Sequence, residues 1–313
     1  MTGTPDVTVP AMTTSIAVFG AGGRAGRHIV AEATARGHRV VAVVRDPTRH
    51  PGLTARNVAV VPGDTHDAAH HPGLTAPDPS GVPGDSHDPA HHPRPTAPGP
   101  SGVPGDSHDP AHHPRPTAPG PSGVRGDTRD PARQSGLGAS NVSVVAGDAR
   151  DPASVADAAA GCAAVVSAVT PFSAPPASFD GFDTGWYAQV ADALLAAKPA
   201  RLIVVGLFAT LRTRPDGPRV LDDPALFPVA LRPFALAHAA GLQRLAESDA
   251  DWLLLAPPPG LSTEASPTGT YRLGDDTAEE QSSPLAYADL ARAVIDQIER
   301  PTRRRQQVAI HAA

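Results

Sequence analysis

Short apolar runs alternate along the chain with longer stretches whose apolar residues recur at helical spacing. Ile16 to Phe19 forms a short apolar run, and "RHIVAEATARG" (27–37) has the alanine content and spacing of a helix closed by Gly37. "RVVAVV" (39–44) reads as a second buried strand, and "NVSVV" (141–145) as a third, ending at Gly147 and Asp148. "PASVADAAAG" (152–161) predicts a helix with proline in its first turn. "AAVVSAV" (163–169), "RLIVVG" (201–206), "DWLLLA" (251–256) and "QQVAIH" (306–311) predict further strands. Between them, 184–198, 233–248 and 284–299 predict helices. Strands alternating with helices imply an α/β fold of Rossmann-like, doubly wound type, a parallel sheet in a single domain over 15–313. Ligands of such a sheet lie along the carboxyl ends of the strands, which puts Gly20–Gly26, Arg45, Asp148, Thr170 and Gly206 on one rim.

One stretch breaks this alternation. "GDSHDPAHHPRPTAPGPSGV" begins at Gly84 and again at Gly105. It belongs to a 21-residue repeat whose register never slips. Gly63, Gly84, Gly105, Gly126 and Gly147 are each followed by an aspartate, with another aspartate three residues on. A solenoid with this period would need apolar residues for a shared core. The middle units carry one valine each, and their prolines oppose both helix and ladder. Residues 69–135 are therefore expected to be a disordered insertion at one strand–helix connection. The outer units, "NVAVV" (57–61) and "NVSVV" (141–145), look like copies of one ancestral strand. Removing four units of 21 leaves 229 residues, an ordinary size for one α/β domain. The N-terminal residues 1–14 are expected to be a flexible tail, with Met12 as an older start.

Composition narrows the function classes. Net charge is −6, which points to neither nucleic acid nor an anionic membrane as partner. A single cysteine, Cys162, fits a reducing, cytoplasmic setting, and no apolar run is long enough to span a bilayer. Nine of the fourteen histidines fall between His66 and His113. Their clusters are short and proline-broken, with nothing to orient the rings, so the expected metal site is none beyond adventitious binding.

The chemistry-bearing segment is "VFGAGGRAGRHIV" (18–30). Gly20, Gly23 and Gly26 stand at G-x-x-G-x-x-G spacing between a strand and a helix, with Ala21, Gly22, Arg24 and Ala25 filling the turn. That context makes the glycines a dinucleotide-binding signal: backbone N–H groups can approach a pyrophosphate at the helix N-terminus. At the end of the second strand, an acidic residue would select the ribose diol of NAD. This chain has Arg45, then Asp46, and Arg24 adds charge nearby, so NADP is favoured over NAD. The bland reading of Arg45 is a solvated strand end.

With "VVAGDARDPASVADAAAGCAAVVSAV", "RLIVVG", "SDADWLLLAPPPG", "TGTYRLGDD" and "LAYADLARAVIDQIERP", the chain resembles a known family over 15–50 and 140–311. This is the atypical short-chain dehydrogenase/reductase group of NAD(P)H-binding proteins, which includes NADH-flavin reductase-like, NmrA-like and biliverdin reductase B-like members. The resemblance implies that Asp148 and Ala149 flank the adenine, and that Ala168, Val169 and Thr170 pass beside the ribose and nicotinamide. The usual Tyr-x-x-x-Lys is missing: Tyr187, Tyr271 and Tyr287 are followed at that spacing by Ala191, Asp275 and Ala291. Leu207 and Phe208 replace the glycine-rich turn expected after the fifth strand and would narrow the pocket. Two functions follow. One is a reductase of flavin or another flat conjugated acceptor, with Thr170, Phe172, Phe208 and His238 around the acceptor. Thr170 and His238 are then the catalytic candidates, His238 as proton donor or merely structural. The other is a non-catalytic NADP(H) sensor. The acceptor's identity and the oligomeric state stay open.

Overall fold

The computed structural model describes residues 13–53, 141–172, 174, 176–279 and 283–313. In chain order the elements are β1 (Ser15–Phe19), α1 (Arg24–Ala35), β2 (Arg39–Val44), β3 (Val142–Ala146), α2 (Pro152–Ala159), β4 (Ala164–Ser167), α3 (Trp186–Ala196) and β5 (Leu202–Val205). There follow α4 (Arg232–Ala246), β6 (Trp252–Ala256), β7 (Leu261–Ser262), β8 (Tyr271–Leu273), β9 (Leu285–Ala286), α5 (Tyr287–Glu299) and β10 (Gln306–Ala312). Eight strands form one sheet in the order β3-β2-β1-β4-β5-β6-β10-β8, parallel except for β8. The expected α/β doubly wound architecture is the one observed.

The unbroken apolar strands follow from burial on both faces, as parallel sheets require. In β1, Ile16 and Val18 point into one core cluster with Ile29, Val30 and Ala33 of α1 and Leu290, Val294 and Ile295 of α5. Ala17 and Phe19 point the other way, toward Val155 of α2, Val190 and Leu194 of α3 and Leu242 and Leu245 of α4. Arg36 joins α1 to α5: its Nη1 donates to Asp296 (2.6 Å) and Glu299 (2.8 Å), and its Nη2 to Glu32 (2.6 Å). His38 Nδ1 accepts from Thr14 N–H (3.3 Å), which leaves Nε2 to donate to Glu299 (3.0 Å). Arg39 N–H also donates to Thr14 O (2.9 Å), which ties Thr14 to the start of β2; residues 1–12 of the expected tail lie outside the described residues.

The last copy of the repeat has a clear local role. Asp148 accepts from Arg150 N–H (2.9 Å), closing the turn after β3, and Asp151 caps α2 by accepting from Ala153 N–H (3.1 Å). The two aspartates of the motif are thus a turn residue and a helix cap. The outer strand copy at 57–61, the insertion at 69–135 and its histidine clusters lie outside the described residues. The antiparallel β8 was not anticipated; it has three residues, alternating in exposure, and carries no periodic signal. Among the described residues, no helix is long and apolar enough to cross a membrane.

Candidate functional site

The order of the sheet reverses at β1, which has β2 on one side and β4 on the other. The crevice beyond the carboxyl ends of β1 and β4 is where such folds hold their ligands. The glycine turn lies across it. Gly20 takes φ +77°, and a Cβ there would stand 2.5 Å from Ala168 O, so the turn needs a residue with no side chain. Gly26 lets the first turn of α1 press against the Gly20 carbonyl. Gly20 and Ala21 N–H both donate to Val43 O, which ties the turn to β2. Gly23, the N-cap of α1, provides no side-chain cap. Among the described residues, the N–H groups of Gly22, Arg24, Ala25 and Gly26 make no backbone hydrogen bond. These donors, the positive end of the α1 dipole and the bare Gly23 fit a dinucleotide's pyrophosphate.

At the outer end of the crevice Arg24 and Arg45 are both exposed, and neither forms an ion pair among the described residues. Asp46 folds one carboxylate oxygen back onto its own loop and leaves the other exposed. Its carboxylate accepts from Thr48 N–H (3.0 Å) and Thr48 Oγ1 (2.6 Å), and these bonds hold its pKa below the usual range. Asp148 and Ala149 follow β3 beside this end, and the Asp148 carboxyl is held low mainly by the Arg150 N–H. Sequence reasoning missed His50. Its imidazole packs on Gly22, where any Cβ would collide with it. The bareness of Gly22 therefore serves a neighbouring side chain. No spacing rule links residues 22 and 50; only the fold brings them together.

At the inner end, Ala168, Val169 and Thr170 leave β4 along the crevice. Ala168 is buried and Thr170 exposed. The Thr170 hydroxyl donates to Phe172 O (2.5 Å), so its proton is engaged locally. Phe172 opens an aromatic group: Phe234 lies 5.3 Å from it, Phe179 5.6 Å, and Phe182 5.9 Å from Phe234, between ring centroids. Phe208 does not join them but pairs with Phe227 at 5.7 Å. A tight turn after β5 leaves it partly exposed, packed against Val220 and Leu221 and against the core on the α3 and α4 side of the sheet. Gly206 is buried, and a Cβ there would run into Leu254, so its bareness has a packing reason.

His238 lies deeper. It is 9% exposed and stacks on Tyr187 at 3.7 Å. Burial lowers its pKa to about 3, so at neutral pH it is uncharged and carries no acidic proton to give. Burial also pushes the Tyr187 phenol well above its ordinary value, and its hydroxyl donates to Val169 O (3.3 Å). This Tyr–His pair braces the strand end that borders the crevice. Among the described residues no group of three potential metal ligands occurs.

A family model described as NAD(P)H-binding matches residues 121–301, and one described as the NmrA-like family matches residues 12–76. An uncharacterized Bacillus subtilis protein, YwnB, is 30% identical over 119 residues, or 36% of this chain. The chain spans about half the length of that relative, 55%. A Streptococcus pneumoniae structure described as a candidate NADH-flavin reductase superposes with TM-score 0.57 at 19% identity, over 96% of this chain and 100% of that one. A candidate epimerase from Bacteroides thetaiotaomicron gives 0.59 at 20% identity, over 96% and 97%. A Veillonella parvula short-chain dehydrogenase/reductase in complex with NADP gives 0.53 at 13% identity, over 96% and 95%. At these identities the structural likeness concerns the fold.

Proposed function

Because the chain belongs to the NAD(P)H-binding family, whose model matches more than half of it, we propose that it is an NADPH-dependent reductase of a flat conjugated acceptor, flavin being the first candidate. The observation that carries this reading is the group of Phe172, Phe179, Phe182 and Phe234 where the chain leaves β4. Aromatic faces there favour a planar ligand by offset stacking. NADPH supplies a hydride when bound. The chain's part is to hold the two partners close, in register and away from water. The glycine turn and the N-terminus of α1 hold the pyrophosphate, Arg45 with Arg24 the 2′-phosphate, and Ala168–Thr170 the nicotinamide end. Arg45, exposed at the end of β2 and without an ion pair among the described residues, supports NADP over NAD.

A conjugated acceptor can take its proton from water, so the missing Tyr-x-x-x-Lys is tolerable. Neither His238, uncharged and buried, nor Thr170, bonded to Phe172 O, is needed as an acid. The second reading, a non-catalytic NADP(H) sensor, draws support from the NmrA-like match over 12–76 and from the buried, bonded Tyr187 hydroxyl. One assay separates the two. NADPH oxidation is followed with and without free flavin mononucleotide, alongside cofactor titration by fluorescence. Flavin-dependent oxidation supports the reductase, and saturable binding without it the sensor.

A further inference from the structure

A second cleft, of about 590 Å³, opens on the α4 side of the sheet. It lies between the C-terminal half of α4 (Leu242, Gln243, Ala246), the start of β10 (Gln306, Gln307) and the segments carrying Thr210, Arg212, Arg219, Asp275 and Asp276. Gln306 and Gln307 pair with Leu253 and Leu254 of β6, and Thr210 and Arg212 come from the chain that follows β5; none of the lining residues belongs to the glycine turn, the end of β2 or the segment leaving β4. The volume is within the range of small-molecule sites.

The cleft holds two arginines in an arrangement that folding alone does not favour. Arg212 and Arg219 lie directly opposite one another in an antiparallel bridge. Directly opposed residues bring their side chains together, and like charges so placed are destabilising. The bridge closes a short finger: Thr213 N–H donates to Pro218 O (2.8 Å) and Gly217 N–H to Arg214 O (2.9 Å). Arg212 is neutralised, its Nε donating to Asp276 (3.1 Å) and its Nη1 to Gly217 O (2.9 Å). Arg219 has no ion pair and no side-chain hydrogen bond among the described residues. The remaining carboxylate, Asp275, is turned to solvent. Its side chain is 83% exposed, with Arg303 its nearest cation at 3.9 Å.

The floor of the cleft is polar and ordered. The Gln307 amide is nearly buried; its Oε1 accepts from Thr210 Oγ1 (2.6 Å) and its Nε2 donates to Thr210 O (3.1 Å). One N–H of that amide is left over. Leu242 and Ala246 supply an apolar wall. We propose that this cleft is a second ligand site, separate from the cofactor crevice, that takes a small organic anion whose carboxylate or phosphate pairs with Arg219.

The test compares the melting temperature of the full chain in inorganic phosphate or succinate with that in chloride at matched ionic strength. It is run on the wild type, Arg219→Gln and Arg45→Ala. The wild type and Arg45→Ala should be stabilised by at least one of the two anions, whereas Arg219→Gln should respond about tenfold more weakly or not at all, as for loss of a charge-assisted pair. Without anion, Arg219→Gln should melt no lower than the wild type, because the opposed charges are gone. NADPH affinity should be unchanged in Arg219→Gln. A response kept in Arg219→Gln but lost in Arg45→Ala would place the anion at the cofactor rim and overturn the proposal. Absence of any wild-type response to either anion would overturn it as well. Arg219→Lys, which keeps the charge, should retain part of the response and guards against a folding artefact.

Discussion

Arg45 and His50 make the outer end of the crevice testable one residue at a time. Arg45→Ala should weaken NADPH binding by about 1.5–3 kcal/mol, the scale of a charge-assisted hydrogen bond, and leave NADH nearly unaffected. Equal weakening in parallel titrations of the two cofactors would remove the 2′-phosphate from its role. Gly22 gives a second prediction. Because a Cβ there collides with the His50 imidazole, Gly22→Ala should cost about 1 kcal/mol of stability, limited by the ring's freedom to swing away. His50→Ala should restore most of that loss in the double variant, and urea unfolding of the four-member cycle reads the coupling directly. Additive losses would mean the ring does not sit on Gly22. The site's two halves differed in legibility. Gly20, Gly23, Gly26 and Arg45 could be read from spacing, because one turn and one strand end place them. His50 and the phenylalanines at 179, 182 and 234 could not, since contacts between remote segments have no local pattern.

At the scale of elements, the strands were legible because both faces of a parallel sheet are buried, so each appears as an apolar run with turn residues after it. Helix α4 shows what such reading leaves out. Its alanine-rich sequence predicts a helix, but the environment of His238 depends on packing against α3 through Tyr187. That packing has a pH signature. The pKa of His238 is near 3 when folded and about 6.5 when unfolded. Its contribution to stability is therefore complete above pH 6.5 and is lost as pH falls toward 3, because the unfolded chain takes up the proton first. His238→Phe keeps a ring against Tyr187 and removes the titration. Thermal melts from pH 7 to 4 should show a shallower decline for His238→Phe than for the wild type. Parallel curves would mean that the imidazole is accessible and can charge in the folded state. NADPH oxidation by His238→Phe should persist, since the proposed chemistry takes no proton from this ring.

For the whole molecule, the question is what the 21-residue repeat contributes. The last copy supplies β3, the Gly-Asp turn and the Asp151 cap. Among the described residues β3 is the edge strand of the sheet, joined to β2. Among the described residues between β2 and β3, His50 packs on Gly22 and Leu53 joins the core, and the chain must also cross from one parallel strand to its neighbour. Such a crossover needs about a dozen residues. Deleting 57–140, four units in register, joins Arg56 to Asn141 and leaves residues 45–56 to make it. β3, Asp148 and Ala149 are kept intact, as is the Asn141 carbonyl that accepts from Val40 N–H (2.7 Å). Shortening the connection also lowers the entropic cost of closing it, though only logarithmically with length. The 229-residue variant should therefore fold, bind NADPH as tightly as the full chain and melt no lower. Calorimetric titration and thermal melts of the two proteins side by side decide it. A substantial loss of cofactor affinity or stability would show that the repeats pack on the domain. If a chelator alone produced that loss in the full chain, the histidine clusters would be a metal site on which folding depends.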